Sequence, residues 1–173
     1  MTGPEGIDVT PIPWIIPVTT PLGPLWGGMS EDGVLILSFT PLATAVTRHG
    51  APPFAGPLRS WLADYFAQRF RPPDFPLRPK GTLFQHRVWS EVSGIAAGET
   101  RTYGALATRL DTAPRAIGRA MAANPLPLLI PCHRVIAADG SIGGYSGGDG
   151  SSTKRWLLRR EGCSGIEEEH DAL

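Results

Sequence analysis

The sequence predicts an α+β fold: a small N-terminal antiparallel sheet with a covering helix, then a mainly helical C-terminal domain with a helix-turn-helix and an active-site cysteine. Three observations carry it. Residues 14–40 alternate strand-like apolar runs with turn residues. Leu58, Trp61, Leu62, Tyr65, Phe66 and Phe70 recur at helical spacing. Cys132 and His133 follow an apolar, proline-bearing run and precede a glycine-rich loop.

In chain order, Met1–Pro13 is polar and without periodicity, a disordered leader. Ile15, Ile16 and Val18 form a strand that turns at Pro21-Leu22-Gly23-Pro24. Leu25 and Trp26 continue it, Ser30-Glu31-Asp32-Gly33 makes a hairpin turn, and Val34–Phe39 pairs back. Thr40–Gly56, with His49 as a surface residue, is irregular. The Leu58–Phe70 stripe covers the sheet until Arg71-Pro72-Pro73 stops it. Residues 14–77 make the N-terminal domain, and the proline-rich stretch Pro72–Lys80 is a stiff linker.

The second domain spans residues 81–165. Thr82 and Gln85 have capping-box spacing, so a helix starts there. Phe84, Val88, Val92 and Ile95 share its apolar face, His86 is solvated, and Gly98 is the expected stop. Thr102 caps a short helix, Tyr103–Leu110. Asp111-Thr112-Ala113 turns, and Pro114 suits the first position of a second helix, Arg115–Ala123. Two short helices joined by three residues have helix-turn-helix form. The second is slim, with Ala116, Gly118, Ala120, Ala122 and Ala123. Arg115 and Arg119 share one face, and Ile117 and Met121 face the core. A last helix, Thr153–Glu161, stops at Gly162.

Composition sets further limits. A chain of 173 residues with 42% hydrophobic content can bury a core. No run of 18 apolar residues occurs, so no membrane span is expected, and the N-terminus has no signal-peptide pattern. The two cysteines, Cys132 and Cys163, are too few for a disulfide framework. A reducing cytoplasm fits and keeps Cys132 reduced, with Cys163 a bystander. Net charge is zero, yet residues 81–165 hold ten Lys/Arg against six Asp/Glu. The acidic tail, residues 166–173, with Glu167, Glu168, Glu169 and Asp171, offsets that surplus. A modest basic face suits nucleic acid.

Cys132 carries the chemistry. Pro125 and Pro127 break any helix before it and are expected to hold the chain extended, leaving the cysteine at a stiff, partly buried turn. Only a thiolate is a good nucleophile, so a base must take the proton, and His133 is nearest. A buried structural cysteine is the alternative that these residues alone leave open.

The run Pro131-Cys132-His133-Arg134-Val135 resembles the active-site signature of the 6-O-alkylguanine-DNA alkyltransferases. The resemblance continues through Gly98-Glu99-Thr100-Arg101-Thr102-Tyr103-Gly104, Asn124-Pro125 and Gly143-Gly144-Tyr145-Ser146-Gly147-Gly148. It is strong over residues 81–162 and weak over 19–77. It implies direct-reversal repair. An alkyl group passes from 6-O-alkylguanine, and from 4-O-alkylthymine, in DNA to the protein's own cysteine, once per molecule.

The resemblance also implies site roles. Cys132 is the nucleophile, His133 its base through a bridging water, and Glu161 the residue that orients His133. Asn124 bonds backbone across the turn or the same water. Tyr103 donates to the purine, while the Ser146 N–H lies near the guanine oxygen and Tyr145 packs on the alkyl group. The carbonyls of Cys132 and Val135 accept from the exocyclic amine. Arg115 fills the stack vacated by the flipped base. Thr102, Arg115, Ala116, Arg119 and Ala122 contact double-stranded DNA through the minor groove. Arg119 departs from the smaller residue expected there. Arg134 is expected to join the helix-turn-helix to the active-site strand. Some relatives hold zinc in the N-terminal half, which here has no cysteine, so no metal and no cofactor are expected. The Asp149–Thr153 loop looks about two residues longer than in relatives. A monomer is expected. Two other classes compete: a non-catalytic lesion-binding protein, which would lack the cysteine, and a cysteine hydrolase or helix-turn-helix regulator.

Overall fold

Three strands open the described part of the chain because their apolar residues, alternating in the first, are joined by short turns. In the computed structural model, which describes residues 12–43, 48 and 50–166, β1 spans Trp14–Thr20, β2 Gly23–Ser30 and β3 Gly33–Ser38. They pair antiparallel in the order β1-β2-β3, with Trp14 opposite Met29 and Trp26 opposite Ser38. Pro17 is tolerated because β1 is an edge strand. Residues 1–11 of the expected leader Met1–Pro13, His49 and most of the acidic tail (167–173) lie outside the described residues.

Trp14, Ile16, Val18, Leu25 and Met29 point to one face of the sheet. Helix α1, Ala55–Phe66, covers that face with Leu58, Trp61, Leu62 and Tyr65. Burying a side chain such as Leu58 contributes about 1.5–3 kcal/mol. Gly27 is required where Leu58 approaches, since a Cβ there would stand 2.5 Å from Leu58 Cδ2. The helix is shorter than its apolar stripe predicts. It ends at Phe66, and Gln68 at φ 60° turns the chain back. Phe70 therefore meets Tyr65 edge-on, at 5.4 Å between ring centres, from outside the helix.

The proline-rich linker is docked on the sheet. Val34 N donates to Pro76 O at 3.0 Å and Arg78 N to Val34 O at 2.8 Å. Helix α2, Leu83–Ser93, starts at the expected capping box, Thr82 with Gln85. It stops at Gly94, four residues before the expected Gly98. Glycine in a helix costs about 1 kcal/mol relative to alanine, and a tighter turn, Ile95 N to Val92 O, still delivers Ile95 to the core.

Thr102 caps α3, Tyr103–Arg109, by accepting from Ala105 N. Asp111, at φ 51°, makes the turn into α4, Pro114–Ala122. Ile117, Ala120 and Met121 are buried, and Trp89 Nε1 donates to Ala120 O at 2.8 Å, fastening α4 to α2. A two-stranded parallel pair, β4 (Arg101–Thr102) with β5 (Val135–Ile136), joins the start of α3 to the cysteine turn. Helix α5, Ser151–Arg160, closes the chain, its first turn using the residues expected to lengthen the preceding loop. Among the described residues no helix is long and apolar enough to cross a membrane.

Candidate active site

The segment before the cysteine is bent, not extended as its prolines suggest. Asn124 folds it. Its Nδ2 donates to Ile130 O and its Oδ1 accepts from Leu126 N, both at 2.9 Å. Ile130 N then closes on Leu126 O at 2.8 Å, with Leu128 at φ 71°. A side-chain amide that supplies both a donor and an acceptor can hold a turn from which the prolines have removed two N–H groups. Asn124 thus takes the first of its two expected roles. The segment delivers Cys132 to a 3₁₀ turn, Cys132–Arg134. The thiol is buried, not partly buried as expected, with the residue 5% exposed.

One cavity of about 290 Å³ lies over the thiol. Tyr103, Cys132, Tyr145 and Ser146 line it, as do Gly118, Met121 and Ala122 of α4. The fold therefore brings together four of the expected site residues from three parts of the chain, and Ala122 from the expected DNA-binding set. Arg115 and Arg119 are exposed outside this cavity, and Ala116 is half-buried. Thr102, also half-buried, is engaged as the α3 cap. Val135 is buried behind the cysteine turn.

Behind the thiol is a closed polar network. His133 Nε2 lies 2.7 Å from Glu161 Oε1, and neither side chain is exposed. Arg134 donates to both Glu161 oxygens, Nε to Oε2 at 2.8 Å and Nη2 to Oε1 at 2.9 Å. Tyr65 Oη donates to Oε1 at 2.6 Å. Arg134 Nη1 also reaches Ile95 O at 2.5 Å, so this arginine ties the cysteine turn to α5 and the end of α2. The expected link to the α3–α4 pair is replaced because the buried carboxylate at the α5 C-terminus attracts the guanidinium more strongly.

Electrostatics assign the protons. Burial alone would raise the Glu161 pKa, but the hydrogen bonds from His133 and Arg134 win and hold it at about 2. Burial drives His133 below its ordinary value, against the pull of Glu161. The pair is thus a carboxylate and a neutral imidazole. Glu161 is then an acceptor, so His133 Nε2 carries the proton and Nδ1 presents a lone pair. Among the described residues His133 Nδ1 has no hydrogen-bond partner.

Burial raises the Cys132 pKa, while the Asn124 amide and Lys154 pull it down. Lys154 is fully buried, with Nζ 2.6 Å from Val135 O and 3.4 Å from Gly144 O. Its ammonium lies 5.9 Å from the Tyr103 ring centre. Burial lowers it to about 8, with the cysteine's negative charge acting in the opposite sense. The Val135 carbonyl expected for a base is thus already engaged on one side.

Lys154, Tyr65 and the Arg134–Glu161 pair go beyond the sequence reading. Lys154 had a visible signal: it shares a helix face with Leu157, Leu158 and Glu161, where a lysine is out of place. Tyr65 had none, because it sits inside an apolar stripe 96 residues from its partner.

This arrangement defines a class: a small α/β protein presenting one enclosed cysteine, backed by a histidine–carboxylate pair, beneath a small-residue helix. The family described as 6-O-methylguanine DNA methyltransferase, DNA binding domain, matches residues 83–163. A methylated-DNA–protein-cysteine methyltransferase of Salmonella typhimurium is 37% identical over 161 residues, 84% of this chain and 93% of its own length. The Methanosarcina acetivorans protein of that name is 44% identical over 103 residues, 58% of this chain and 65% of its own. A DNA base-flipping protein of Thermus thermophilus is 42% identical over 147 residues, 83% of this chain and 97% of its own. The crystal structure of Mycobacterium tuberculosis OGT in complex with DNA superposes with TM-score 0.74 at 35% identity, covering 86% of this chain and 92% of that one. The chain belongs to the methylated-DNA–protein-cysteine methyltransferase family.

Proposed function

We propose that this protein repairs DNA by direct reversal, moving a methyl or larger alkyl group from 6-O-alkylguanine, and from 4-O-alkylthymine, onto Cys132. The observation that carries the reading is Cys132 at the base of a cavity walled by α4. A base that reaches the thiol must leave the stack and pass along that slim helix. The tuberculosis relative solved with DNA and the Thermus relative named for base flipping support the same route.

The chemistry is a displacement at the alkyl carbon. The Cys132 sulfur forms the S–C bond, the C–O bond breaks, and guanine leaves as its anion, which is then protonated. The thiol proton goes to His133 Nδ1, through a bridging water, because Nε2 keeps its proton on Glu161. The imidazolium so formed lies against the Glu161 carboxylate, which Arg134 and Tyr65 hold. Lys154 supplies positive charge near the developing thiolate. Tyr103 donates to the purine as charge builds, and the Ser146 N–H lies by the leaving oxygen. Tyr145 packs on the alkyl group, while the Cys132 and Val135 carbonyls read the exocyclic amine.

Helices α3 and α4 act as a helix-turn-helix in the minor groove, whose width of about 6 Å suits side chains as small as Ala116 and Ala122. Arg115 fills the vacated stack, with Thr102 and Arg119 at the DNA backbone. Residues 14–77 and 81–165 serve as the two domains. Labelled alkyl-guanine duplex tests the function: label must appear covalently on Cys132. DNA binding with base extrusion and no label would make the protein a lesion-binding relative instead.

A further inference from the structure

The N-terminal sheet reaches the active site where β3 ends. Leu37 N donates to Pro125 O at 2.8 Å, in the turn that delivers Cys132. Two residues on, Phe39 meets Tyr145 edge to face, with ring centres 6.4 Å apart at 81°. Tyr145 is a wall of the Cys132 cavity. Gly147 is buried and lies against both rings. A Cβ on it would stand 2.5 Å from Phe39 Cε2 and 2.8 Å from Tyr145 Cε1, so the backbone there packs closely on the pair.

No side-chain hydrogen bond fixes the Tyr145 ring. The Tyr145 hydroxyl is buried with no hydrogen-bond partner among the described residues. Shape alone holds the ring, and Phe39 supplies the outer face. Beyond the wall, Phe39, Ser146 and Gly147 border a second cavity of about 660 Å³, against about 290 Å³ over the thiol. Tyr145 therefore has somewhere to go if its support is removed.

We infer that Phe39 is a specificity-determining positioning residue: it braces Tyr145 from the N-terminal sheet and so limits the size of the alkyl group that Cys132 accepts. The inference rests on the proposed function, with the alkyl group seated against Tyr145. A methyl group presses on the wall only slightly, whereas a benzyl group must displace it. Packed interiors resist such added volume, and the cost falls when a neighbour is cut away.

The test compares full-length wild type, Phe39→Leu and Phe39→Ala on one duplex sequence carrying 6-O-methylguanine or 6-O-benzylguanine. Single-turnover rate constants give the benzyl-to-methyl ratio for each protein. The ratio should rise roughly tenfold in Phe39→Ala, the scale on which apolar pockets discriminate by size, and by less in Phe39→Leu. The methyl rate should stay close to wild type. An unchanged ratio, with both rates constant or both falling together, overturns the inference, as does a lower ratio. A general loss of packing would slow both substrates alike, so the ratio separates the two explanations. If Phe39→Ala does not fold, Phe39→Leu decides by the same ratio. A wild-type protein that takes no methyl label at Cys132 defeats the proposed function; a labelled wild type with a flat ratio defeats only this inference.

Discussion

Glu161 Oε1 stands 2.7 Å from His133 Nε2 with both side chains enclosed, although the two are 28 residues apart. A carboxylate at the C-terminus of a helix is unfavourably placed against the helix dipole. Arg134 compensates, and Tyr65, from the N-terminal sheet's covering helix, donates to the same oxygen. Through Tyr65 the N-terminal half thus touches the His133–Glu161 pair of the C-terminal half directly.

Glu161→Gln should impair both repair and stability. The amide cannot stabilise an imidazolium, and it leaves Arg134 without its counter-charge. Removing one partner of a buried ion pair costs about 3–5 kcal/mol. Denaturant unfolding gives the stability, and single-turnover transfer gives the rate; a variant that unfolds and reacts like wild type would remove Glu161 from the site.

Stability should fall on acidification in two stages, for one reason. His133 is held below its ordinary value of 6.5, so the unfolded state binds that proton first. The contribution is complete above pH 6.5 and drains away as pH falls through the lower folded value. Glu161 is held at about 2 against an ordinary 4.5, so its share is complete above pH 4.5 and is lost toward pH 2. Melting temperatures of wild type and Glu161→Gln across this range check it; a wild-type curve flat from pH 7 to 3 would contradict both assignments.

Cys132→Ser should abolish transfer and leave DNA binding nearly intact, because the expected DNA contacts lie at the α3 cap and on α4. Mass spectrometry after exposure to 6-O-methylguanine duplex, with a binding isotherm, measures both. Transfer to Cys163 instead would reverse the assignment.

Legibility in the sequence divided along a physical line. Local signals held: the Thr82–Gln85 box starts α2, Thr102 caps α3, and Pro114 opens α4. Ends were less visible, since apolar periodicity runs on through Phe70 and Ile95 after the helices have stopped. Ile95 remains in the core, and Phe70 packs against it, by turning, not by continuing the helix. The cysteine turn was misjudged because prolines report what a chain cannot do, whereas the bend is made by the Asn124 side chain. Lys154 and Tyr65 became partners of the site only through contacts between distant segments, which no single stretch encodes.

Arg115→Ala should slow repair of duplex more than of single strands. The arginine is exposed at the start of α4, outside the thiol cavity, and its proposed task is to fill a vacated stack. Single strands have no such stack. Unstacking costs a few kcal/mol, so a duplex-specific deficit of roughly tenfold, about 1.4 kcal/mol, is expected. Rate constants on the same lesion in both substrates give the comparison, and equal losses would end the finger assignment.

Each molecule should react once. The product is a thioether, and water at neutral pH does not cleave such a carbon–sulfur bond without strong activation. In the proposed roles the groups around Cys132 handle one proton and its charge: His133 takes the proton, Glu161 faces the imidazolium, and Lys154 and Tyr103 supply positive charge or a donor. A neutral thioether is a poor alkyl donor to an amine or an imidazole, so neither Lys154 nor His133 regenerates the thiol, and Cys163, the second of the two cysteines, stands outside the cavity residues. The added group must also fit beside a cysteine that is only 5% exposed, in a cavity shared with Tyr103 and Tyr145. Overfilling a packed site costs about 1–3 kcal/mol, so the alkylated form should melt lower than the free protein. Titration with excess 6-O-methylguanine duplex, followed by thermal unfolding, tests both parts. One methyl group per molecule and a lowered melting temperature are expected; repeated turnover would show that the thioether is not the end of the reaction.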